Sequence, residues 1–226
     1  GVRVAGSVSR MQPIHPLFDL AINSFITFFV IIDPIGLIGV FNGLAAGMTR
    51  RDKRRLAVRG VAVGAGILML FALGGERILG ALGISLPAFR AAGGALLFML
   101  AIEMMFQRRI ARRAEAADNV PDEAHPEDVG IFPLGIPLIA GPGAITSALL
   151  LTSRYKGEMV EQGIVIAAIL AVLVATLATF LTADRLGRII GPTIVGITTR
   201  LLGILLAAVA VEYIVVGVHQ IWNAAH

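Results

Sequence analysis

The sequence predicts an all-α polytopic membrane protein of six transmembrane helices, built as two inverted three-helix repeats with helices one and four broken at proline. Three observations predict it. The first is composition: 57% of the residues are hydrophobic, 15% are charged and mean hydropathy is +0.85, whereas soluble domains carry roughly 25% charged residues. The second is run length. A bilayer core is ~30 Å thick and accepts ~20 helical residues, and several apolar runs reach that length. The third is recurrence. Ile31-Ile32-Asp33-Pro34-Ile35-Gly36 lies in the middle of one apolar run, and Leu138-Ile139-Ala140-Gly141-Pro142-Gly143-Ala144 in the middle of another. A shift of 108 positions lays Pro34 on Pro142 and Gly36 on Ala144; a shift of 109 lays Gly94-Ala95-Leu96-Leu97 on Gly203-Ile204-Leu205-Leu206 and Glu103 on Glu212. Such self-similarity marks an internal repeat.

Taken in order, residues 1–16 form a polar tail. The chain begins at Gly1 and shows no separate signal peptide, so the first span is expected to direct insertion itself. Span one runs from Leu17 to about Gly47, with its break at Asp33-Pro34, and a basic loop, Thr49 to Arg55, follows. Span two runs from about Leu56 to Leu79. Its Gly60, Gly64, Gly66, Gly74 and Gly75, like Gly93-Gly94 in span three, predict close helix packing. Span three runs from Pro87 to Phe106, so the first repeat covers 17–106. A polar loop occupies 107–130. The second repeat covers 131–219: span four from Ile131 to Ser153, span five from Gly163 to Ala183, span six from about Ile197 to Val218, and a tail at 220–226. Three spans per repeat force the second repeat to enter the membrane from the opposite face.

Lys and Arg set the orientation. With both termini outside, the inner loops and their flanks hold about twice the basic residues of the outer ones, including Arg50, Lys53, Arg54, Arg109, Arg113, Arg185 and Arg188. The net charge of +4 is thereby explained by the bilayer, and nucleic acid is not an expected partner. The absence of Cys excludes disulfides, thiol catalysis and thiolate metal sites. His15, His125, His219 and His226 pair with no nucleophile or ligand cluster, and no phosphate-binding glycine loop is present. The expectation is a chain that is not an enzyme and carries no cofactor or metal.

The candidate site is the pair of breaks. Proline removes a backbone donor and clashes with the carbonyl four residues back, and backbone freed in lipid must be re-satisfied by protein or by a wet cavity. Each break exposes the amides of a half-helix N-terminus, the positive end of its dipole. Asp33 is an ionisable group at mid-membrane depth, a functional residue by default; it is also a strong N-cap ahead of a proline suited to the first helical turn. At the equivalent place Gly141 has no side chain with which to cap. A bound carboxylate suits the amides of Gly143, Ala144 and Ile145, while Asp33 and unwound carbonyls suit an ammonium. An amino acid carries both charges, and the Gly and Ala nearby favour a small one. The expected substrate-binding set is Asp33, Pro34, Gly36, Asn42, Gly141, Pro142, Gly143, Ala144, Thr146 and Ser147. Asp33, Glu103 and Glu212 are the candidates for gating or coupling, although carboxylates near span ends also serve as anchors or in ion pairs.

These motifs resemble the MarC family of inner-membrane proteins, also called the neutral amino acid transporter family. The resemblance runs over nearly the whole chain after residue 17 and rests most on Asp33-Pro34-Ile35-Gly36 with Phe41 and on the stretch from Phe132 to Ile145. The basic run ending at Arg59, Gly93-Gly94 with Leu96-Leu97-Phe98, and Arg200-Leu201-Leu202-Gly203 add to it. One departure stands beside the first break: the family commonly has Asn and Pro where this chain has Leu37 and Gly39. The resemblance implies six spans in the cell inner membrane and, for some members, uptake of glycine- or alanine-like substrates. Thiol electron carriers of the wider superfamily are disfavoured by the missing Cys, and divalent-cation carriers by the single acidic residue at the breaks. The leading expectation is a secondary transporter of small neutral amino acids driven by H+ or Na+. The alternatives are an exporter of another small solute or toxic compound and a non-transporting membrane scaffold or regulator; a homo-oligomer is compatible with each.

Overall fold

A computed structural model describes residues 16–109, 113, 115 and 126–225. The N-terminal tail through His15, most of the 107–130 loop including Arg112 and His125, and His226 lie outside the described residues.

Among the described residues every regular element is helical. Helix α1 (Pro16–Ile32) and α2 (Leu37–Leu44) are the two arms of the first apolar run, bent by 47° at Asp33–Gly36. Helix α3 (Arg50–Ala81) follows, then α4 (Leu86–Met105). After a helical turn at Pro126–Val129 comes a proline segment, Gly130–Ile139. It coils loosely around extended residues Phe132 and Ile136, each joined to the next proline by a cis peptide. Helix α5 (Pro142–Arg154) leaves that segment at 58°. Helix α6 (Met159–Leu181), the short α7 (Ala183–Ile189) and the long α8 (Pro192–Ala225) complete the chain. Among the described residues four helices are long and apolar enough to cross a membrane, and up to six spans result if each bent pair counts as one.

Helices α6 and α8 begin a few residues earlier than the sequence reading has them, at Met159 and Pro192, and two larger differences have local reasons. The basic run Thr49 to Arg55 is the first turns of α3 rather than a loop. Thr49 Oγ1 accepts the Asp52 amide at 3.3 Å, a side-chain N-cap, and donates to Asp52 Oδ2 at 2.6 Å, and Lys and Arg are good helix formers. Helix α8 runs through Ala225, well past Val218, since nothing between them breaks a helix.

Glycines set the packing. A Cβ on Gly60, Gly64 or Gly75 of α3 would lie 2.5–2.6 Å from Leu134, Ile139 or Leu149, so this face seats the second broken run. Helix α4 lies antiparallel on α8: a Cβ on Gly94 would meet Ile214 and the Ala210 carbonyl, one on Gly203 would meet Met104, and one on Gly217 would sit 2.6 Å from the Ala91 amide. Helix α1 packs on α6 as α3 packs on the proline segment and α5. Apolar side chains such as Phe18, Leu73, Val174 and Leu201 stay exposed on the outside, as expected of surfaces facing lipid.

A cavity between the two breaks

At the first break α1 ends with Asp33, whose amide still donates to the Phe29 carbonyl at 2.9 Å. Asp33 then turns left-handed, at φ 55, a conformation Asp tolerates better than most residues. Its Oδ1 accepts the Gly36 amide at 3.0 Å, and its carbonyl accepts that of Leu37 at 3.1 Å. Asp33 therefore caps the turn that leads into α2. Gly36 has to be glycine, because a Cβ there would fall 2.1 Å from Asp33 Oδ2.

The break would still strand the last carbonyls of α1. Two arginines that follow α4 in sequence reach back to them. Arg113 donates from Nη1 to Asp33 Oδ2 at 3.3 Å and from Nη2 to the Ile32 carbonyl at 3.1 Å. Arg109 donates from Nη2 to the Ile31 carbonyl and from Nη1 to Met104 Sδ. Both are 5% exposed and Asp33 is fully buried. Cations at the C-terminal end of α1 also meet the negative end of its dipole. Sequence reasoning placed Arg109 and Arg113 among the loop cations that set orientation. The signal that points to them is Asp33 itself, since a carboxylate at that depth demands a countercharge.

The second break is capped differently. Gly141 is extended, Pro142 and Gly143 open α5, and no side chain caps the helix. The Ile145 amide donates to the Gly141 carbonyl at 3.0 Å; those of Gly143 and Ala144 belong to the first turn, which has no intrahelical acceptor. In front of them lies a cavity of about 410 Å³. Its walls are Pro137 to Ile139 and Gly141 to Ala144 from the second break, Leu96, Met99, Leu100 and Glu103 from α4, and Ile31, Arg109 and Arg113 from the side of the first. The volume lies within the ~300–1,000 Å³ usual for small-molecule sites.

The expected site residues divide accordingly. Gly141, Pro142, Gly143, Ala144 and Glu103 line the cavity. Asp33, Pro34 and Gly36 form the first break behind it, and Asp33 reaches it through Arg113. Thr146 and Ser147 are buried on other faces of α5: a Cβ on Gly93 would lie 2.0 Å from Thr146 Cγ2, and Ser147 Oγ has no hydrogen-bond partner among the described residues. Asn42 faces α7 instead, donating from Nδ2 to the Ala183 carbonyl at 3.3 Å. Glu212 stands on α8 beside a separate cavity with Arg90 and Arg154. Glu76 of α3 pairs with Lys156 in the turn after α5, and Asp184 of α7 with Lys53 of α3. Among the described residues no group of acidic residues and histidines could hold a metal ion.

Two bent apolar runs, long lipid-facing helices and a mostly apolar cavity between the bends, with a few charged groups in its wall, define an integral multi-pass membrane protein. The chain belongs to the MarC family: the model for MarC family integral membrane proteins matches residues 18–222. It is 35% identical over 211 residues to a UPF0056 membrane protein of Methanocaldococcus jannaschii, covering 92% of this chain and 90% of that one. It is 32% identical over 214 residues to UPF0056 membrane protein YhcE of Escherichia coli, covering 92% and 97%, and 29% identical over 201 residues to UPF0056 membrane protein YvbG of Bacillus subtilis, covering 89% and 95%. No solved structure matches.

Proposed function

We propose that the chain is a secondary transporter of small neutral amino acids across the cytoplasmic membrane, and that the cavity between the two breaks is its substrate site. The observation that carries this reading is the arrangement of opposite charges around one small space. The uncapped amides of Gly143 and Ala144, with the Arg109 guanidinium that lines the same space, favour a carboxylate, and Glu103 on the wall from α4 favours an ammonium. This differs from the sequence expectation in one role. Asp33 balances Arg113, and the ammonium falls to Glu103.

The two halves act as inverted repeats in this proposal. Swapping spans one, two and three for four, five and six exchanges the α1–α6 contact with that of α3 against the proline segment and α5. It also exchanges the Lys53–Asp184 pair with Lys156–Glu76. Rocking of one half on the other would open the cavity to each face in turn, with both termini outside and H+ or Na+ as the driving ion. The test is uptake of labelled glycine and alanine by purified protein in liposomes under an imposed proton or sodium gradient. Gradient-dependent accumulation is expected, and a folded protein that accumulates neither under either gradient would overturn the reading.

A further inference from the structure

A second cavity, of about 470 Å³, lies between the start of α3 and the α6–α7 junction. Arg50, Lys53 and Arg54 project into it from one wall, Arg185 and Arg188 from the other, and Asp184 is the single carboxylate among the lining residues. Its inner end is closed by Phe41 stacked on Phe180, ring centroids 4.5 Å apart.

The charges in this cavity are out of balance. Lys53 Nζ meets Asp184 Oδ1 at 2.8 Å, and that pair consumes the carboxylate. Arg188 Nε is held by the Asp184 carbonyl at 3.2 Å. Arg50 and Arg54 remain on the first turns of α3, where the helix dipole disfavours cations, and Arg185 and Arg188 remain on α7. A topological preference for Lys and Arg on one membrane face explains their presence on each loop. It does not explain two clusters, more than 120 residues apart in sequence, turned towards each other across one cavity. The four arginines are exposed and screened by water, and an anion seated between them would be attracted by both walls. The cavity joins a cationic mouth to an aromatic base, and Leu181 and Ile189 beside it are 52% and 75% exposed, so an apolar surface runs away from the cationic mouth. A phosphate attached to acyl chains matches both parts; a free phosphate matches only the first.

We infer that this cavity binds the headgroup phosphate of an anionic phospholipid, held by Arg50, Arg54, Arg185 and Arg188 with its chains along α6 and α7. Basic pockets between membrane helices are suited to such headgroups.

The test is native mass spectrometry of the purified full chain titrated with phosphatidylglycerol or phosphatidylcholine. The wild type should retain phosphatidylglycerol at least about tenfold better. Arg54→Gln/Arg185→Gln should remove that preference, and Arg50→Gln/Arg188→Gln should reproduce the loss. Arg51→Gln/Arg55→Gln removes the same total charge, from α3 alone and from residues that line only the neighbouring cavity, which shares Arg54 with this one, and should keep the preference. Equal losses in all three pairs would reduce the effect to general surface charge and overturn the site, as would equal retention of the two lipids. Displacement of phosphatidylglycerol by equimolar inorganic phosphate would overturn the lipid assignment. Thermal unfolding of each variant establishes that the comparison is made on folded protein.

Discussion

Asp33→Asn separates the two roles that Asp33 plays in the structure. The asparagine carbonyl can replace Oδ1 as acceptor for the Gly36 amide, and Asn tolerates the left-handed backbone. What is lost is the negative charge 3.3 Å from Arg113. At an effective dielectric constant of about 20, two unit charges at that distance interact by about 5 kcal/mol. The Arg113 side chain is 6% exposed and Asp33 fully buried, so water cannot compensate, and breaking such a pair costs about 3–5 kcal/mol. Arg113→Gln should cost a similar amount. The double variant should be less destabilised than the sum of the two by more than ~2 kcal/mol, because neither buried charge then lacks the other. The assay is denaturant unfolding in mixed micelles followed by helical circular dichroism. Single variants within about 0.5 kcal/mol of wild type, or strictly additive effects, would refute the ion pair as the element that holds the first break.

Other expectations follow from the same geometry. Gly94→Ala forces a Cβ to within 2.9 Å of the Ile214 amide and the Ala210 carbonyl and should cost about 1–3 kcal/mol. Gly66→Ala, with no atom within 4 Å, should be neutral or stabilising by up to about 1 kcal/mol; unfolding midpoints of the two variants check both. Glu103→Gln should weaken alanine binding about tenfold or more through loss of a charge-assisted hydrogen bond, measured by titration calorimetry on folded protein. The hydrogen bond from Lys53, and then its charge, hold the exposed Asp184 carboxyl below its ordinary pKa. A depressed carboxyl stabilises the fold above its unfolded value, about 3.9, and loses that contribution as pH falls through the depressed one. Stability profiles of wild type and Lys53→Met should therefore keep a constant gap from pH 7 to pH 5 and converge only below about pH 4.

The helices and both bends are legible in the sequence because their causes are local. Apolar run length, Asp33-Pro34 and Gly141-Pro142-Gly143 each act within one segment. The glycines of α3 are likewise visible as a packing face, though not the leucines they receive. The arginines at the first break are not legible as site residues. They lie 78 and 81 positions from the carbonyls they satisfy, and a basic residue after a membrane span has a sufficient explanation in topology. The same explanation hides the cationic cavity, whose two walls come from α3 and α7, far apart in sequence. Asn42 belongs to the expected site by its place after the first break, but its side chain meets the Ala183 carbonyl of α7 instead, a contact 141 positions away in sequence. The cis prolines at 133 and 137 have no sequence mark beyond proline itself.

The central claim is that the space between the two breaks takes up an amino acid. The chain has no cysteine, so a single Leu100→Cys, on the cavity wall, can be followed with a small methanethiosulfonate reagent. Met159→Cys, at a residue that is 88% exposed and outside the cavity, serves as reference. Alanine is predicted to slow modification at position 100 severalfold and to leave position 159 unchanged. Equal labelling rates at position 100 with and without saturating alanine, in a protein that still binds or transports alanine, would show that the substrate sits elsewhere.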